Sequence, residues 1–376
     1  MPHPEARVVA GMLNAALAFL VAAALALAFT PLAIRLAWRS GFLDRPSTPL
    51  KTQREPVAYL GGLAIALAFG VAVLLLKFTR APSRDLAIWP LGLERARGVY
   101  AIGLGGLVAL VLGLMDDRRA LGPGFKFLGQ IAGALVLVAC GLRVRFVSQD
   151  WLSAVLTVLW VVTVTNALNF VDILDGLAGG VCLAAALVFC VFALHGGRND
   201  DALAAAALAG ACLGFLPFNW MPARVYMGDA GSHFLGFSLA AISLNLRYSH
   251  QNVLALLSPL VILFLPLFDL ALMIVIRSRK RLAPWKGSPD HTPLRLKALG
   301  LPVPGVALLL SGLTLGLGLL VYGASFLNMG PALWVWSILG VSACAAAVWL
   351  MGIPMPHDVV RGTVAGPSRR ASKRSV

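Results

Sequence analysis

Apolar runs of about 17 to 24 residues recur from one end of this chain to the other, near 11–34, 59–76, 98–115, 125–141, 151–169, 176–195, 202–221, 230–246, 253–276, 303–322 and 331–351. A helix of about 20 such residues crosses the hydrocarbon core of a bilayer, and inside that core only helices and closed barrels satisfy their own backbone. Repeated runs of this length exclude an ordinary soluble fold. The window at 125–141 is short and glycine-rich, and the windows on either side of Asp172 and Asp229 nearly abut. The expectation is therefore an all-α, polytopic membrane bundle of about 10–11 transmembrane helices, with 1–352 forming one domain and 353–376 a basic, disordered tail. The first run, about Gly11 to Ala33, is too long for a signal-peptide core and reads as a retained span.

Only 12% of the 376 residues are charged, and among these 31 Lys and Arg outnumber 16 Asp and Glu. Counted over alternate connections, the basic residues fall 21 to 10 in favour of the side holding the first loop, Arg35 to Arg54. By the positive-inside rule that side is cytoplasmic, which places the protein in the cytoplasmic (inner) membrane with its acidic loops facing the cytoplasm. The surplus sits in short loops and the tail rather than in any nucleic-acid-binding motif, so nucleic acid is not an expected partner. The five cysteines (Cys140, Cys182, Cys190, Cys212, Cys344) lie inside apolar runs without disulfide or zinc spacing and read as packing residues.

The acids carry the functional signal. Asp116, Asp117, Asp172, Asp175, Asp229, Asp269 and Asp290 fall at or near span ends on the inferred cytoplasmic side, although Asp269 in PLFDLALM lies well inside a span. A carboxylate at membrane depth costs roughly 2.5–3.5 kcal/mol on insertion scales, so its presence calls for a function. In DDRRALGPGFKFLGQ the adjacent pair Asp116–Asp117 suits a divalent cation, an acid/base pair or a solvated helix end, and Lys126 follows within reach of a phosphate. In NALNFVDILDGLAGG the polar residues Asn166, Asn169, Asp172 and Asp175 recur every third position, along a slowly drifting helical face that ends at Gly176. PARVYMGDAGSHFLGF sets Asp229 between glycines at a helix N-terminus, an arrangement suited to a metal-bridged diphosphate. The late loop RSRKRLAPWKGSPDHTPLRLKALG carries seven basic residues, and within it His291 and Arg295 are the ones placed to close over a substrate phosphate.

In this order and at this spacing, the four segments resemble the polyprenyl-phosphate N-acetylhexosamine-1-phosphate transferases, which include the undecaprenyl-phosphate N-acetylglucosamine-1-phosphate transferases and the muramoyl-pentapeptide transferases. The resemblance extends back to GFLDRPSTPLKTQREPVAYLGGLAI and covers about Gly41 to Gly300. It implies a magnesium-dependent glycosyl-1-phosphate transferase, with manganese as a substitute ion. Such an enzyme moves a HexNAc-1-phosphate from a UDP-N-acetylhexosamine to undecaprenyl or another polyprenyl phosphate, releases UMP and so initiates an envelope polysaccharide or wall polymer.

Carried over by position, Asp229 and Asn169 are the implied metal ligands, and Asp116, Asp117 and Asp229 the implied catalytic acids, Asp116 for the proton of the lipid phosphate. Asn166, Asp172, Asp175, Lys126, Arg54, His291 and Arg295 are the implied substrate-binding residues. Relatives carry histidine, proline and histidine where this chain has Gln53, Ala58 and Leu294. The implied partners are therefore the nucleotide sugar, the polyprenyl phosphate and membrane lipid, and a homodimer is compatible with such a chain. Two competing readings are a polytopic lipid or ion transporter, whose acids would spread through the membrane depth, and a noncatalytic relative that binds lipid or nucleotide without turnover.

Overall fold

Every one of the eleven apolar windows is occupied by helix in the computed structural model, which describes residues 4–46, 53, 55–78, 93–281 and 290–355. In chain order the helices are α1 (Pro4–Ser40), α2 (Gly61–Phe78), α3 (Leu93–Arg118), α4 (Pro123–Ala139), α5 (Asp150–Val171), α6 (Leu177–His195), α7 (Asn199–Asn219) and α8 (Gly228–Asn245). A 3-10 turn at Val253–Leu257 follows, then α9 (Ser258–Ile262), α10 (Phe264–Arg279), α11 (Thr292–Ala298), α12 (Val303–Ala324) and α13 (Met329–Met351). The structure is thus the all-α polytopic bundle expected.

Among the described residues, seven helices are long and apolar enough to cross a membrane, or eight if the segment through α9 and α10, bent by 75°, counts as one span. The apolar stretches of α2 and α4 are shorter than 18 residues, and 17 residues rise only about 25 Å. Helices of that length cross a bilayer only by tilting little or by drawing on flanking residues.

The bundle centres on helices made of small residues. α7 reads NDDALAAAALAGACLGFLPFN, and a Cβ on Gly210 or Gly214 would fall 2.1 Å from the Phe19 carbonyl oxygen or 2.2 Å from that of Ala23. Helices α1 and α7 therefore cross with their backbones in contact, an approach available only to glycine and the basis of much helix association in lipid. α6, α7 and α8 are buried along most of their length, whereas α13 buries only Ala332 and Leu350 and faces outward. Cys182, Cys190 and Cys212 are buried and unpaired within this core, as packing residues.

One small sheet ties the first loop to the centre. β1 (Leu43–Asp44) pairs antiparallel with β2 (Val57–Ala58), and Ala58 bridges to Val225 just ahead of α8. The backbone N–H groups of Gly61 and Gly62 continue this stitching by donating to Tyr226 and Met227 oxygens at 3.0 and 3.1 Å. The start of α2 is thereby pinned to the start of α8, where Asp229 lies.

Candidate active site

The candidate site lies where the C-terminal ends of α3 and α5 meet the N-terminal ends of α4 and α8. Asp116 and Asp117 close α3, Lys126 sits in the first turn of α4, Asn169 in the last turn of α5 and Asp229 in the first turn of α8. Alternating chain direction makes these four ends neighbours, so residues separated by as many as 113 positions share one end of the bundle.

Asp229 is the hub. Its Oδ1 accepts from Asn169 Nδ2 at 2.8 Å and its Oδ2 from Lys126 Nζ at 2.8 Å. The Lys126 ammonium also pairs with Asp116, whose other oxygen accepts from the Leu121 N–H at 2.7 Å. Asn169 additionally donates to Ser232 Oγ at 2.9 Å. One cation therefore bridges two carboxylates from different helices, and an amide orients the second of them.

Asp117 does something different. Its Oδ1 and Oδ2 accept from the backbone N–H groups of Asp229 and Ala230, at 2.8 and 3.0 Å, and so cap the N-terminus of α8 from another helix. The cap depends on Gly228, whose φ is +68° and whose added Cβ would lie 2.6 Å from an Asp117 oxygen. It also depends on close approach by α3, since a Cβ on Gly113 would sit 2.4 Å from Ala230 backbone atoms.

The other expected residues surround this cluster at different distances. Asp172 caps the C-terminus of α5, and burial, with the Asp229 and Asp175 charges adding to it, pushes its carboxyl up to about 7. Asp175 is raised by burial too, against a hydrogen bond at 2.9 Å from the Ala223 N–H, through which it holds the loop leading to α8. Asn166 lies one turn deeper than Asn169 and exchanges hydrogen bonds with Gln130, at 2.6 and 3.3 Å. Arg54 lies outside the described residues, as does the tail from 356 onward.

His291 and Arg295 are not equivalent. The Arg295 guanidinium, expected at a substrate phosphate, is buried and bonded to Asp290 Oδ1 at 2.8 Å and to the Leu350 and Ile353 carbonyls at 2.8 and 2.9 Å, fastening α11 to the end of α13. Counting the bond from Nε to the Asp290 carbonyl, four of its five N–H groups are committed inside the protein. His291 packs edge-to-face on Phe170, with ring centroids 5.9 Å apart, beside the Asn169 that orients Asp229.

Two residues the motifs did not single out complete the floor. Gln130 is buried, with Nε2 3.4 Å from His233 Nε2, and His233 lies one turn below Asp229 on the same face of α8. The i, i+4 spacing of Lys126 to Gln130 and of Asp229 to His233 was the available signal.

The donors at the centre are carboxylates and an amide, the hard oxygen groups that suit magnesium. Among the described residues no group of three or more His, Cys, Asp or Glu side chains is placed to hold an ion alone. Magnesium is commonly held by one or two carboxylates together with substrate phosphates, so the residues present fit an ion shared with substrate.

Comparison with known proteins bears on the same region. The glycosyl transferase family 4 model matches residues 99–247, which span α3 to α8 and the whole central cluster. The probable undecaprenyl-phosphate N-acetylglucosaminyl 1-phosphate transferase of Bacillus subtilis (strain 168) is 32% identical over 305 residues, 77% of this chain and 79% of that protein. The decaprenyl-phosphate N-acetylglucosaminephosphotransferase of Mycobacterium tuberculosis (strain ATCC 25618 / H37Rv) is 36% identical over 300 residues, 72% of each chain. A phospho-N-acetylmuramoyl-pentapeptide-transferase of Limosilactobacillus fermentum is 37% identical over 152 residues, 37% of this chain and 48% of that one.

Proposed function

The chain belongs to glycosyl transferase family 4, the polyprenyl-phosphate N-acetylhexosamine-1-phosphate transferases, and we propose that it moves a HexNAc-1-phosphate from a UDP-sugar to undecaprenyl or a similar polyprenyl phosphate. An oxygen of the lipid phosphate forms a bond to the sugar-bearing phosphorus of the donor. The bond from that phosphorus to the oxygen bridging it to uridine monophosphate breaks, and UMP leaves. The product is a lipid diphosphate carrying the sugar, a starting point for envelope polysaccharide or wall polymer.

The observation that carries this reading is the convergence of Asp116, Lys126, Asn169 and Asp229 at the first turn of α8. Charge accumulates on phosphoryl oxygens during such a transfer, and catalysis consists largely of placing positive groups and dipoles there. Lys126, now neutralising two carboxylates, is the mobile positive group that a substrate phosphate would draw to itself. Asp117 holds the α8 N-terminus, with its partial positive charge, in place behind the reacting groups. In this reading Asp116 takes the proton of a lipid phosphate that arrives singly ionised. Asp229, with the Asn169 amide, would hold magnesium, which when bound would supply positive charge against the phosphate groups of the donor. Asp172 and Asp175 flank the cluster on the side that the nucleotide is taken to occupy.

The lipid substrate lives in the bilayer, and the cluster sits at helix ends, so the phosphate reaches it laterally without leaving the interface. The excess of Lys and Arg on that side supports a cytoplasmic-facing site in the inner membrane. The test is UMP release by purified protein in detergent, with magnesium, undecaprenyl phosphate and either UDP-GlcNAc or UDP-GalNAc. UMP and a labelled lipid product are expected only when both lipid and metal are present. UMP formed equally well without lipid would sink the transferase reading, and binding of nucleotide without turnover for either sugar would point to a noncatalytic relative.

A further inference from the structure

Asp269 is a carboxylate buried in α10 that the reaction outlined above leaves without a task. It is 0% exposed, and a charge at that depth is costly unless something receives it. Two groups do. Oδ1 accepts from the Thr292 N–H at 2.5 Å, at the start of α11, and Oδ2 lies 2.7 Å from His291 Nδ1. An ionised carboxylate only accepts, so the proton in the second contact belongs to Nδ1. The opposite ring nitrogen, Nε2, makes no bond among the described residues and is not enclosed.

The ring is held in its second direction by Phe170, which it meets edge-to-face at 80°. Phe170 follows Asn169, whose amide holds Asp229. The Arg277 guanidinium also lies over the Phe170 ring, 5.3 Å from its centroid, and Asp290, next to His291, is tied to Arg295 and Lys280. The tautomer, position and tilt of His291 are thus set by contacts from α10 and α5 rather than by its own loop.

We propose that Asp269 is a positioning residue for phosphate recognition: it holds His291 with Nδ1–H turned inward and presents Nε2 to a substrate phosphate. This rests on the reading that His291 meets substrate. Nε2 is the ring atom left to the site, and the carboxylate behind the ring fixes the direction of the one hydrogen bond it can make to a phosphate group.

Asp269→Asn separates this role from packing. Asparagine keeps the shape but has one acceptor oxygen, which the Thr292 N–H retains, so its NH2 faces His291 Nδ1 and forces the Nε2–H tautomer. The experiment has two readouts on the full chain in detergent. The first is the 15N spectrum of histidine-labelled protein, with the His291 signals assigned by their loss in His291→Gln. Protonated Nδ1 is expected in the wild type and unprotonated Nδ1 in Asp269→Asn. The second is kcat/KM for UDP-GlcNAc with undecaprenyl phosphate in wild type, Asp269→Asn, His291→Ala and the double variant. Each single change is expected to lower it by about 10- to 100-fold, with the double no worse than His291→Ala.

Unprotonated Nδ1 in the wild type overturns the proposal without any Asp269 variant, which keeps the test open if Asp269→Asn does not fold. Additive losses in the double variant also overturn it, because Asp269 would then act through something other than His291. If the tautomer switches as expected but His291→Ala transfers at the wild-type rate, the contact stands while the substrate reading of His291, and the proposal with it, falls.

Discussion

Both oxygens of Asp117 accept backbone N–H groups of α8, whereas Asp116, its neighbour, faces Lys126. Adjacent carboxylates on one helix point about 100° apart, so one turns to the helix it packs against and the other to the site. Asp117→Asn leaves one of two acceptors and is expected to lower stability by about 1 kcal/mol, as cap losses do, read as a fall in the thermal midpoint in detergent. Asp229→Ala removes the hub and is expected to cut turnover at least about 100-fold with helical content unchanged by circular dichroism; wild-type turnover would end the metal assignment. Cys182→Ala, in the packed core and without a hydrogen bond or ion pair to the cluster, should be tolerated in the same assay. Asp172 supplies a pH signature. Its raised carboxyl holds a proton more tightly in the folded protein than near 4 in the unfolded chain, so its contribution favours folding at low pH and is lost as pH rises towards about 7. Thermal midpoints measured across that window should fall further for wild type than for Asp172→Asn.

At the scale of elements, small residues decide which helices touch. Gly113 lets α3 lie against the first turn of α8, because any Cβ there would meet Ala230 backbone atoms at 2.4 Å. Gly103, almost three turns earlier on α3, has nothing within 4 Å of a built Cβ. Gly113→Ala is therefore expected to separate α3 from α8, break the Asp117 cap and lose both stability and transfer. Gly103→Ala should keep transfer and gain up to about 1 kcal/mol of helix propensity, checked by the rate of thermal inactivation. Glycines are equally visible in the sequence at both positions; which of them faces α8 depends on the rotation of α3 about its axis, which only packing sets. The same holds for Arg295, placed by its loop context beside His291 but directed by α11 toward the end of α13.

For the whole molecule, the alternation of helix direction puts the loop after α3 and the loop before α5 on opposite faces. In a cysteine-free background, Arg119→Cys should react with an impermeant maleimide only in inside-out vesicles, and Ser148→Cys only from outside; both residues are exposed. The reverse labelling would invert the proposed orientation. The sequence by itself determined the fold class, the position of the apolar helices, and the four segments that carry chemistry, because bilayer thickness imposes a length on every span and because carboxylates at membrane depth stand out against an apolar background. Only the tertiary structure decided which partners those carboxylates face. The expected set divides into a hub at Asp229, a helix cap at Asp117, a loop tie at Asp175 and a packing tie at Arg295, while Gln130 and His233 enter as its floor. Hydrogen bonds across more than a hundred residues depend on how the helices rotate and cross, and local spacing holds no information about either.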